Sequence, residues 1–147
     1  MSWFSDLFSW FRPRPAPRPP GPIEPFDAAE VIRLMNLQRL AAGLSKLSDL
    51  REDPDLAALA KTWVRQMAAA DILSHGDFHA RISTKFPNTY AGEVIAAGQS
   101  SAKEVIDSWM ASAGHRAQIL GTAYRKVGVA REVSSSRTPY WCGDFAA

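Results

Sequence analysis

Gly92-Glu93-Val94-Ile95-Ala96-Ala97-Gly98, followed by Ser108-Trp109-Met110-Ala111-Ser112-Ala113-Gly114-His115-Arg116, decides how this chain is read. Tyr90–Ala97 has the apolar character of a strand, and Glu93 is a lone carboxylate within it. Alternation sets Glu93 on the face opposite Val94. If that face is core, an unpartnered carboxylate there costs several kcal/mol, so Glu93 needs a partner. His115 in the second stretch and His75 in Leu73-Ser74-His75-Gly76 are the obvious ones. Two imidazoles and a carboxylate make a polar cleft, an acid/base pair or a divalent-metal site.

The elements around this stretch are legible from caps and periodicity. Asp27-Ala28-Ala29-Glu30 is a capping box opening a helix to about Ala42, with Gly43 as its stop and Val31, Leu34, Met35 and Leu40 as its core stripe. Asp53-Pro54 starts a second helix, with Leu56, Leu59, Ala60, Trp63, Val64 and Met67 as its buried face. Residues 71–90 read as irregular, with one short helix around Phe78–Lys85. Ser101-Ala102-Lys103-Glu104 begins a third helix, with Val105, Ile106, Trp109 and Met110 facing the core, and His115–Leu120 a short one. Tyr124–Val133 and Pro139–Phe145 form a terminal hairpin across Ser134–Arg137. Helices before and between a few antiparallel strands predict an α+β, three-layer α-β-α sandwich. Trp63, Trp109 and Trp141 read as core.

Composition narrows the classes. The chain has 147 residues, 46% of them hydrophobic, enough for one domain to bury a core without covalent staples. Residues 1–26 hold three Arg, one Asp and one Glu, leaving fourteen basic and thirteen acidic residues in the domain. No basic patch interleaves with aromatics, which argues against nucleic acid. The single Cys142 has no partner for an internal disulfide, and reads as a buried small hydrophobe.

Residues 1–26 differ from the domain at 27–147. Trp3, Phe4, Leu7, Phe8, Trp10 and Phe11 fall on one side of a helix, with Ser2, Ser5, Asp6 and Ser9 opposite. Residues 13–25 hold seven prolines, a linker of polyproline II character reaching on the order of 40 Å. The six apolar residues predict a docking peptide for a protein partner or assembly. A membrane surface suits them less, because the polar face has Asp6 and no Lys or Arg. The stretch has no basic n-region, and Ser5, Asp6 and Ser9 break its apolar run, so it does not read as a secretory signal. No run approaches the ~20 apolar residues of a membrane span. Location is left between a bacterial cytoplasm and a phage virion.

Asn36 with Arg39, His75, Gly92-Glu93-x-Ile95-Ala96, Trp109-Met110-x-Ser112-x-Gly114-His115-Arg116 and Tyr140-Trp141 occur in an order that resembles the CAP superfamily, the SCP-like domain of cysteine-rich secretory and pathogenesis-related proteins. The resemblance covers roughly residues 28 to 147 and is closest to the cysteine-poor bacterial type. It implies the same sandwich and carries over His75, Glu93 and His115. Val94 stands where the family has Asn, and Ser112 where animal and plant members have a second Glu.

Two functions fit. One is a recognition module, tethered through residues 1–26, whose cleft binds a small ligand or protein through His75, Glu93 and His115. The other is a hydrolase of cell-wall or peptide substrates, in which the same three residues activate a water, with or without Zn²⁺ held by His75 and His115. The missing second glutamate favours binding. A zincin reading of His75 and His79 fails on Gly76, which stands where that motif needs its Glu.

Overall fold

The computed structural model describes residues 21–147. The chain runs α1 (Ala28–Ala41), β1 (Arg51–Glu52), α2 (Pro54–Ala70), α3 (Phe78–Ser83), β2 (Ala91–Ala97), α4 (Ala102–Met110), α5 (Ala113–Ile119), β3 (Lys126–Val133) and β4 (Pro139–Ala146). The caps do the expected work. Asp27 accepts from Ala29 N, Asp53 from Asp55 N and Leu56 N, and Ser101 from Glu104 N. The tail docking residues Trp3, Phe4, Leu7, Phe8, Trp10 and Phe11 lie outside the described residues.

The sheet has the order β1-β3-β4-β2. β2, β4 and β3 form the expected antiparallel core. β1 adds a parallel edge of two residues, too short to leave a periodic signal. Helices α1, α4 and α5 cover one face, where Val31, Met35, Val94, Val105, Trp109, Val129, Trp141 and Phe145 form one cluster. Helix α2 covers the other, meeting Ile95, Ala130, Tyr140 and Cys142 through Ala60, Val64 and Met67. This is an α-β-α sandwich.

Two expectations about the core need correction. Leu40 is 46% exposed, and the buried position beside it belongs to Arg39, 1% exposed. Arg39 donates from Nη1 to the carbonyls of Ile119 and Gly121, and from Nη2 to those of Ser48 and Tyr124. The last carbonyl of α5 and carbonyls of the neighbouring loops find donors there, which outweighs Leu40's apolar side chain in the contest for that position. Trp63 is half-buried, whereas Trp109 and Trp141 are core. Its ring faces Arg81 and its Nε1 donates to Ser74 O.

Residues 24–26 are held on the domain. Glu24 N donates to Ser100 O, Arg131 Nη1 donates to Glu24 O, and Phe26 packs edge-on against Trp141 at 6.0 Å.

Candidate functional site: a covered carboxylate behind an open imidazole

Register places Glu93 of β2 opposite Asp144 of β4, with Gly128 of β3 on the far side of Asp144. All three face α2. The helix comes so close that a Cβ on Gly128 would fall 2.0 Å from Ala57 N, so that position requires glycine. Asp144 is thereby sealed at zero exposure, and Glu93 at 7%.

Helix α3 delivers the counter-ion. Its cap is Asp77, which accepts from Ala80 N. One turn in, Arg81 Nη1 donates to Glu93 Oε2 at 2.9 Å and Nη2 to Oε1 at 3.1 Å, a two-pronged pair. The guanidinium lies 4.1 Å from the centre of the Trp63 ring. Arg81 Nη2 also donates to His75 O at 2.6 Å. Gly76 has φ +54°, and a Cβ there would run into the Trp63 ring at 2.5 Å. The backbone around His75 is therefore fixed from both sides.

His75 Nδ1 lies 2.8 Å from Glu93 Oε1, with 52% of the His75 side chain exposed and 1% of Glu93's. Burial raises the Glu93 pKa, but hydrogen bonds from Asp144, Arg81 and His75 outweigh it, so the carboxyl falls below its ordinary value and is ionised. An ionised Glu93 fixes the proton of His75 on Nδ1 and leaves Nε2 as an acceptor facing out. Among the described residues, no hydrogen bond uses that Nε2. His115, in the first turn of α5, is half-buried. Burial first, then the nearness of the His75 ring, lowers its pKa and keeps it neutral at neutral pH.

The structure thus joins His75 to Glu93 and sets His115 within electrostatic reach of His75. No hydrogen bond ties His115 to either among the described residues. His79 is exposed on α3, apart from this network. Cys142 is buried, and burial, then Asp144 and Glu93, push its thiol pKa well up, so it is no nucleophile.

Two residues escaped the sequence reading. Arg81 is twelve positions from Glu93, a spacing no periodicity reveals. Asp144 carried the same signal as Glu93: a carboxylate inside an apolar strand run, Tyr140–Ala146. Burial first, then the Glu93 carboxylate, raises its pKa well above the usual range. Its Oδ2 has no hydrogen-bond partner, and its Oδ1 lies 3.5 Å from Cys142 Sγ.

The donor set decides where a metal fits. Glu93, Cys142 and Asp144 offer atoms within 4.8 Å of one another, but Arg81 already supplies the cation there. At the mouth, His75 Nε2 is free, its imidazole is oriented by a carboxylate, and His115 is neutral. Two hollows, about 260 Å³ beside α3 and about 320 Å³ along β3, include none of His75, Glu93 or His115.

Known proteins share this framework. The family model of the cysteine-rich secretory protein family, CAP, matches residues 32–145. The uncharacterized protein YkwD of Bacillus subtilis (strain 168) is 31% identical over 113 residues, which cover 73% of this chain and 43% of that protein. The chain therefore spans less than half of that relative. An extracellular protein containing a SCP domain from Bacillus anthracis superposes with a TM-score of 0.68 at 24% identity, over 81% of this chain and 39% of that one. NaASP2, solved with Zn²⁺, gives 0.62 at 15% identity, over 80% and 77%. Below 25% identity these structures show the fold alone. With the family match spanning most of its length, this cysteine-poor chain belongs to the cysteine-rich secretory protein (CAP) family.

Proposed function

We propose that this CAP domain is a recognition module that offers the imidazoles of His75 and His115 to a small ligand or protein and performs no turnover. One observation carries the reading: Glu93 is covered and fully engaged. Its oxygens accept from both Arg81 nitrogens and from His75, with Cys142 Sγ 3.5 Å away. A carboxylate so held and kept ionised is a poor general base, since a base works best with a pKa near the operating pH. Its role is to orient His75. What remains is a pair of imidazoles, His75 half-exposed and His115 half-buried, and a Zn²⁺ ion is one ligand that imidazoles suit.

In this reading residues 1–26 tether the domain to a larger assembly, of which a phage virion is one kind. Support comes from the one-sided aromatic pattern of residues 3–11 and the seven prolines that follow.

Hydrolysis of purified cell walls and of a mixed peptide substrate tests the central claim. We expect no turnover with or without added Zn²⁺, and calorimetric Zn²⁺ binding lost in both His75→Ala and His115→Ala. Turnover that disappears in Glu93→Gln and His75→Ala would establish the hydrolase instead. For the tether, Trp3→Ala/Trp10→Ala should lose a captured partner while the domain keeps its melting temperature.

A further inference from the structure

We infer that the two imidazoles begin a longer row, continued by Gln118 and Tyr90, and that this row binds a neutral oligosaccharide. The inference rests on the recognition reading and names the ligand class of its cleft. The row follows from β2 and α5. A Cβ on Gly92, the residue before Glu93, would lie 2.0 Å from Gln118 Oε1 and 2.2 Å from Tyr124 Oη, so the Gln118 side chain rests against the strand there. His115 is three residues before Gln118 on α5, about 5–6 Å away on the same helix face. Tyr90 is two residues before Gly92, about 7 Å along the chain, which is still paired there through Ala147 N on Tyr90 O. From His115 to Tyr90 the row spans on the order of 12 Å.

Gln118 and Tyr90 each present a group that the fold holds in place and does not use. Tyr124 Oη donates to Gln118 Oε1 at 2.6 Å. Burial first, then Tyr90, raises the Tyr124 pKa to about 12, so the phenol keeps that proton. The carboxamide is thereby oriented. Its Nε2 holds two N–H donors with no partner among the described residues, and it is not buried. Tyr90 is 65% exposed although one face of its ring stacks on Tyr124, with centroids 5.3 Å apart and 27° between the planes. Tyr124 stacks in turn on the buried Phe145, also at 5.3 Å. The outermost ring of this stack is fixed from beneath and open above.

The chemistry of the row selects the ligand. A cation finds no free carboxylate, because Glu93 is paired with Arg81. A purely apolar ligand would cover the Gln118 N–H groups and leave them without acceptors, which is costly. A peptide is read through pockets for its side chains, and the hollows beside α3 and along β3 include no member of the row. A sugar supplies every complement the row asks for. Its weakly positive C–H face lies on the negative face of an aromatic ring, and its hydroxyls accept from Gln118 Nε2 and donate to His75 Nε2.

Titration of the isotope-labelled full chain with chitotetraose, cellotetraose and a mixed peptide pool, followed by NMR, tests this. We expect saturable shifts at Tyr90, Gln118 and His115 with at least one of the two sugars and none with the peptides. Tyr90→Ala should weaken sugar binding by about tenfold, and Tyr90→Phe, which keeps the ring face, should not. Gln118→Glu keeps the acceptor for Tyr124 and loses both donors, so it should weaken binding as well. Tyr90→Ala should leave the calorimetric Zn²⁺ heat expected of the parent unchanged. No saturable shift with either sugar, alongside that Zn²⁺ heat, overturns the inference and leaves the recognition reading standing. Sugar binding indifferent to Tyr90→Ala overturns it too, and shifts along the row from the peptides alone give the row to a peptide.

Discussion

On one side of β2 and β4, Val94, Ala96, Trp141 and Phe145 pack beneath α1, α4 and α5. On the other, one residue away along the same strands, Glu93, Cys142 and Asp144 lie beneath α2 and beside α3. The first face follows the hydrophobic rule, and its polar tips are satisfied at once: Trp109 Nε1 donates to Ile95 O and Trp141 Nε1 to Gln99 O. The second face buries two carboxyls against one guanidinium. That arrangement adds little net stability, because desolvation offsets most of the attraction. It holds an imidazole in one tautomer, with its far nitrogen open to solvent. The contrast teaches that the period of two lets one face of a sheet be wholly apolar while the other sets a charged cluster beside the apolar contacts of α2.

The largest effects should break each face by its own mechanism. Trp109→Ala opens a cavity and costs about 3–5 kcal/mol. Glu93→Gln costs about as much, because it leaves Arg81 charged and unpaired over Trp63. A double-mutant cycle in chemical denaturation tells the two apart. Arg81→Met should recover much of the loss in the Glu93→Gln background and none of it in the Trp109→Ala background. Additive losses for Glu93→Gln and Arg81→Met would show that the pair is not an energetic unit.

Legibility followed the same division. The apolar face announced itself through spacing: Val31 and Met35, then Val105 and Trp109, recur at helical intervals and were read as core. On the polar face only Glu93 and His75 were recognised, by the need of a buried charge for a partner. Arg81 was missed because its contact depends on how α3 docks, which no local pattern encodes. Arg39 was passed over for Leu40, since hydropathy alone cannot see four carbonyls waiting for donors. Asp144 was missed although its neighbours Cys142 and Phe145 are apolar. The argument that found Glu93 applies to it unchanged.

Asp144 provides the next test, of intermediate size. An unfolded Asp ionises near 3.9, roughly, whereas the folded Asp144 keeps its proton well above that. The native state then binds more protons than the unfolded one. The stabilising contribution is full below the unfolded value and is lost as pH rises toward the native value, by up to about 1.4 kcal/mol per pH unit. Glu93 has the opposite sign: its lowered native pKa gives stability above about 4.3 that is lost on acidification. Asp144→Asn has no proton to lose, so it should melt higher than the parent at pH 8, with the gain shrinking toward pH 4. A parent and variant whose melting temperatures run parallel across that range would mean that Asp144 ionises normally, and the account of how Glu93 is held would fail.

The smallest stability effect should fall on the residue that matters most to function. His75 is half-exposed, and its bond to Glu93 is shared with solvent, so His75→Ala should cost less than about 1 kcal/mol. At this chain length that lowers the melting temperature by roughly 4 °C or less. Glu93 keeps both contacts to Arg81, and the sheet beneath is untouched. The same substitution removes the open Nε2, so it should abolish the Zn²⁺ heat expected of the parent protein. His79→Ala, on the exposed side of α3, should change neither quantity. Stability and binding would then separate at a single side chain, as expected of a residue presented by the polar face rather than built into it. If His75→Ala instead melts as low as Glu93→Gln, the imidazole is a structural pin between α3 and β2, and the open-imidazole site has no basis.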